Sequence, residues 1–243
     1  MDLLVEIGKA KFENPKRNSV HLVNDEEGNR LLNDIEHYPH AYVLACCMDR
    51  QVNAEIAWMV PVKIWRILGT FDFEVLQNIS LEEWNHIFNS NSLHRFNDTM
   101  AEVFYSAIQT IKNDYNGDAS AIWKNNPSSS TVVYRFLQFK GVGVKIATMA
   151  ANILARQYKI PFSDYYSIDV SPDVHVKRVM YRLGYIRKDA TIEEIIYKAR
   201  ELYPEFPGII DYSLWEIGRG CCRPSNPDCM NCMMKTECKT FNK

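Results

Sequence analysis

The stretch TVVYRFLQFKGVGVKIATMAANIL, residues 131–154, decides the fold. It reads as helix, tight turn, helix, with apolar residues at helical steps on both sides of Lys140-Gly141-Val142-Gly143. Gly141 suits the left-handed conformation that ends a first helix. Gly143 leaves the backbone uncovered where a second helix begins. Bare amides at a helix N-terminus form an anion site, and the anion that suits an exposed turn of this kind is a nucleic-acid phosphate. Ala147, Ala150 and Ala151 are small and let the two helices approach closely. Lys145 falls in the first turn of the second helix.

Outward from this hairpin the pattern stays helical. Leu31, Leu32 and Ile35, then Tyr42 to Met48, predict two helices broken at His37-Tyr38-Pro39. Ile56, Met59, Val60, Ile64 and Leu68 predict another, which Pro61 should kink or end. Ser80 with Glu83, and Thr191 with Glu194, are capping boxes, the second opening a helix through Arg200. Met100 to Ile111 is a further amphipathic run. Residues 113–130 and 163–172 carry turn chemistry and predict loops. Alternation of apolar and polar residues is absent, so the fold class expected is all-α.

The hairpin resembles that of the helix-hairpin-helix DNA glycosylases, whose turn reads hydrophobic-Pro-Gly-Val-Gly-x-Lys-x-Ala; here Lys140 stands in place of the proline. The resemblance makes Gly141, Val142, Gly143 and Lys140 DNA-backbone contacts. It makes Lys145 the nucleophile of the members that also cleave the strand. A second match lies in Pro172-Asp173-Val-His175-Val-Lys-Arg178. The resemblance implies that Asp173 is the catalytic carboxylate and that His175 and Arg178 lie at the DNA. Locally the same segment is an ordinary helix start, with Ser171 as cap, Pro172 at the first helical position and Asp173 in the first turn. The interval from Gly143 to Asp173 is longer than in the endonuclease III branch, which leaves Asp169 as a rival carboxylate. Tyr42 to Ala54 resembles the family's early helix, whose end fills the gap left by an extruded base; Gln51 or Arg50 takes that place here.

Seven cysteines are divided unevenly. Cys46 and Cys47 sit in the apolar run and read as buried helix residues. Five crowd the end of the chain, where Cys222-x6-Cys229-x2-Cys232-x5-Cys238 leaves too few apolar residues for a core and suits a metal centre. Zinc is the chemical rival, although only one Cys-x2-Cys knuckle is present. The spacing is similar to the [4Fe-4S] loop of the endonuclease III branch, and Cys221 leaves the first ligand open.

The net charge is −2, yet residues 131–200 carry twelve Lys and Arg against six Asp and Glu, while residues 1–130 carry eleven against eighteen. A locally basic segment can bind DNA within an acidic whole, because screening cuts off distant charge. Residues 1–16 lack a signal-peptide core and no apolar run is long enough to span a membrane, so a cytoplasmic location is expected.

The resemblance implies two helical domains with an active-site cleft between them. Residues 46–165 would form a six-helix barrel with the hairpin at 131–156. Residues 1–45 and 166–243 would form the cluster domain. It also implies a monomeric base-excision repair glycosylase with AP lyase activity on double-stranded DNA, directed at oxidised pyrimidines. The alternatives are a non-catalytic hairpin DNA-binding protein, or a glycosylase for oxidised guanine or alkylated bases.

Overall fold

The computed structural model describes residues 2–13 and 21–242. Met1, residues 14–20 and residue 243 lie outside the described residues, and with them part of the expected N-terminal segment. Among the described residues there are helices and no strands. None of the helices is long and apolar enough to cross a membrane. The chain forms two units. One comprises 17–126 and 134–146, the other 1–16, 127–133 and 147–243.

The first unit holds α2 (Glu26–Asn33), α3 (Pro39–Met48), α4 (Ala54–Leu68), α5 (Phe73–Leu76), α6 (Leu81–Ser90) and α7 (Asn97–Asp114). Every residue of α3 is buried, as its all-round apolar sequence requires. It packs against α2, α4 and α7. Cys46 and Cys47 are therefore core residues, and burial pushes the Cys47 thiol up to about 12. The early helices were expected in the cluster domain; residues 21–45 belong instead with the barrel helices, because the buried faces of α2 and α3 meet α4. Helix α4 does not end at Pro61 but runs through it to a Gly69 cap at φ 72°. One lost backbone bond costs roughly 3 kcal/mol. The buried row Ala57, Trp58, Val60, Val62 and Ile64 outweighs it through packing. Ser80 and Glu83 form their capping box at the head of α6. The expected loop at 113–130 contains a 3₁₀ turn, Ala119–Ile122, after Asn116 and Gly117 at positive φ.

The second unit holds α1 (Leu3–Glu13), α10 (Val174–Leu183), α11 (Ile192–Leu202) and α12 (Asp211–Arg219), with a 3₁₀ turn at Pro207–Ile210. Two further helices, α8 (Ser129–Leu137) and α9 (Val144–Arg156), each contribute residues to both units. Helix α1 packs on the 3₁₀ turn and on α12. Gly218 lets α12 lie close to α10, since a Cβ there would come within 2.7 Å of the His175 Cβ. Thr191 and Glu194 cap α11 as the sequence indicates.

Candidate active site and cysteine cavity

In the hairpin, α8 ends in a turn closed by bonds from the Phe139 amide to the Phe136 carbonyl and from the Val142 amide to the Phe139 carbonyl. Gly141 stands at φ 80°, the left-handed conformation its position calls for. Gly143 opens on empty space; a Cβ there would meet nothing within 4 Å. Lys140 is exposed and pairs with Glu102 at 2.9 Å. Within the same unit, an Arg50 guanidinium nitrogen lies 3.3 Å from where a Gly141 Cβ would stand, so Arg50 is beside the turn. Gln51 is exposed and held at φ 55°.

Lys145 lies at the second residue of α9 with its side chain 42% exposed, and Nζ donates to Asp49 Oδ2 at 3.0 Å. Asp49 is the C-cap of α3, and its side chain is only 8% exposed. The contact joins residues 96 positions apart in sequence. Reading the sequence missed Asp49, although one signal was present. A carboxylate at a helix C-terminus faces the negative end of the dipole, so an aspartate directly after a buried apolar helix needs a cation.

The second unit places Asp173 at the N-cap of α10, where Oδ1 accepts from the amides of His175 and Val176, both at 2.8 Å. The sequence had put the cap at Ser171. The Ser171 amide donates to the Asp211 carboxylate at 2.6 Å, and the cap of α10 falls two residues later. Burial pushes the Asp211 carboxyl up to about 7. The Ser171 amide pulls it back, the negative Asp173 nearby pushes it up further, and Arg156 lowers it. Asp169, the rival carboxylate, is buried and bound by Arg200 at both oxygens, 2.8 Å each. It is a structural ion pair.

His175 and Arg178 are engaged with one another inside the second unit. Arg178 donates to His175 Nδ1, to the carbonyls of Gly218 and Val174, and through Nε to the Cys222 carbonyl. It fastens α10 to α12 and to the start of the cysteine tail. Such a fork of fixed donors is what a guanidinium supplies.

A cavity of about 130 Å³ is lined by Cys221, Cys222, Cys229, Cys232 and Cys238, with Val179, Leu183 and Ile217 among its apolar walls. Loss of solvent raises the Cys229 thiol, and the charges of Cys238, Cys222 and Cys232 raise it further. These four therefore face one another. Arg182 donates to Cys222 Sγ at 3.4 Å. Cys221 points toward the Ile217 carbonyl at 3.8 Å and toward Cys232. Among the described residues, no three His, Cys, Asp or Glu side chains converge closely enough for a single metal ion.

The architecture is shared with solved structures along nearly the whole chain. A trapped covalent intermediate of endonuclease III with DNA matches with TM-score 0.63 and 17% identity, over 98% of this chain and 94% of that one. The chain has the fold of these DNA glycosylases. A thermostable thymine-DNA glycosylase of the same fold gives a TM-score of 0.65 at 14% identity, over 99% of this chain and 95% of that one. Endonuclease III of Thermotoga maritima is 34% identical over 108 residues, 44% of this chain and 46% of that relative. The chain thus spans under half the length of that curated relative. No protein-family model matches it. Lys140 to Lys145, Asp49, Arg50 and Gln51 belong to the first unit; Asp173 belongs to the second.

Proposed function

We propose that this chain is a base-excision repair DNA glycosylase with AP lyase activity, acting on oxidised pyrimidines in double-stranded DNA as a monomer. The observation that carries the reading is Lys145, a part-exposed amine two residues beyond the bare turn at Gly143. The Gly141 and Gly143 amides would bind a backbone phosphate, the Val142 amide being spent on the Phe139 carbonyl. Arg50 or Gln51 would enter the gap left by the extruded nucleotide, whose extrusion costs about a few kcal/mol. The Asp173 carboxylate would stabilise positive charge developing on the sugar. As the Lys145 nitrogen bonds to the anomeric carbon, the bond to the base breaks and its electron pair leaves with the base. The aminal so formed opens its ring at the C1′–O4′ bond, with O4′ taking a proton, to give a Schiff base that permits β-elimination and a nick 3′ to the lesion.

Four cysteines that line one apolar-walled cavity, with a single Cys-x2-Cys knuckle among them, suit a [4Fe-4S] cluster better than zinc. Cys222, Cys229, Cys232 and Cys238 would hold it, with Cys221 outside the set. The cluster would supply the folding energy of a tail that has almost no core of its own.

Borohydride reduction in the presence of abasic or lesion-bearing duplex tests the reading. A covalent protein–DNA adduct is expected with the native chain and none with Lys145→Gln. Persistence of the adduct in that variant overturns the assignment of Lys145. A panel of oxidised-pyrimidine, oxidised-guanine and alkylated-base duplexes fixes the lesion by base release. The Lys145–Asp49 ion pair favours a second reading, in which the lysine is structural and the hairpin only binds DNA. Tight duplex binding with neither adduct nor base release would establish it.

A further inference from the structure

We propose that Asp49 is the positioning residue of Lys145: it holds the amine at the head of α9 and takes up its proton when the nucleophile is used. The inference rests on the glycosylase/lyase reading of Lys145. Its physical basis is the placement of Asp49. A carboxylate at the C-terminal end of a wholly buried helix lies in negative potential and has lost most of its water. It is a poor choice for stability and needs a cation. The cation it meets is the amine that sits behind the DNA-binding turn, at 3.0 Å.

The chain provides this contact by design of its local structure. The Asp49 amide bonds back to the Cys46 carbonyl and fixes the end of α3. The next residue, Arg50, reaches the turn at Gly141. One short segment therefore places an acid against the nucleophile and a base against the hairpin. An amine must lose a proton before it can attack, and Asp49 is a base already in contact with it. The step balances: the Lys145 ammonium passes a proton to the Asp49 carboxylate, and the neutral amine's lone pair forms the bond to the anomeric carbon. The bond to the base breaks, and the base leaves with its electron pair and takes a proton from water.

The test is single-turnover adduct formation under borohydride with an abasic-site duplex at saturating protein, with duplex affinity measured separately. Asp49→Asn keeps the shape and a hydrogen-bonding oxygen. It is expected to slow adduct formation by about 10- to 100-fold, the range for a displaced reacting group, while the Kd for the duplex stays within about twofold. Asp49→Glu restores the carboxylate and should recover part of the rate. An unchanged rate in Asp49→Asn overturns the proposal, as does a loss confined to Kd or a failure of Asp49→Glu to recover any rate when it folds. Absence of an adduct with the native chain overturns the lyase reading itself, and this proposal with it.

Discussion

Replacing Asp211 by Asn should flatten the pH dependence of stability between about pH 4 and pH 8. The Asp211 carboxyl is pushed from the ordinary 3.8 up to about 7 in the folded chain. Between those values the folded state binds a proton that the unfolded state has released, so stability falls as pH rises through this window. The stability that Asp211 confers is fully present below about pH 4 and gone above about pH 7. Three pH units at about 1.4 kcal/mol each give an upper bound near 4 kcal/mol. Residual contact with solvent brings the working figure to about 2 kcal/mol. For a chain of this size that is a shift of roughly 4–8 °C in Tm. Asparagine keeps an oxygen for the Ser171 amide at 2.6 Å and carries no charge at any pH. Differential scanning calorimetry at half-unit intervals from pH 5 to pH 8 should show the native chain losing Tm toward pH 8. The variant should lose less and be the more stable of the two at pH 8. Parallel curves would refute the reasoning, since the carboxyl would then titrate alike in both states.

Glu102→Gln releases Lys140 from its surface pair and should tighten duplex binding a few-fold while steepening its salt dependence by about one counterion; fluorescence anisotropy across a salt series reads both. Gln51→Gly relieves a left-handed side-chain-bearing residue and should raise stability by about 1 kcal/mol in denaturant titration, yet lower base release if Gln51 fills the gap in the DNA. Gly141→Ala forces a Cβ into the φ 80° conformation and against Arg50, so a loss of about 1 kcal/mol or more is expected, together with weaker duplex binding. Replacing Cys229 by Ser should bleach the brown colour expected of a cluster and make the tail sensitive to protease, whereas an unaltered visible spectrum would remove Cys229 from the ligand set.

Local codes were readable from residues alone. The left-handed Gly141, the capping boxes at Ser80 and Thr191, and the buried run ending at Met48 all depend on neighbours within a few positions. Contacts across long stretches of chain were not. Asp49 meets Lys145 across 96 positions, and Arg178 spends its guanidinium 40 and 44 positions away on Gly218 and Cys222. The place of Asp49 after a buried helix signals a need for a cation, but nothing near either residue in sequence names the partner. Pro61 went the other way: its local signal was strong, and packing on both sides of it overrode the signal. Asp173 lies at the start of α10 as the local helix signals indicate, but as the cap itself rather than within the first turn.

The division of the second unit into three separate stretches of chain dictates an order in time. Helix α1 is made well before its ion-pair partner, since Glu216 follows Lys11 by 205 positions. Loop-closure entropy grows slowly with such a span, but a nascent helix cannot dock on a surface that has not yet been synthesised. The first unit has all its stretches by residue 146 and can fold while translation continues. For that interval α1 carries Leu4 and Val5, both buried in the finished protein, exposed to whatever else is in solution. Until the later stretches emerge, the apolar face of α1 lacks the surface it packs on.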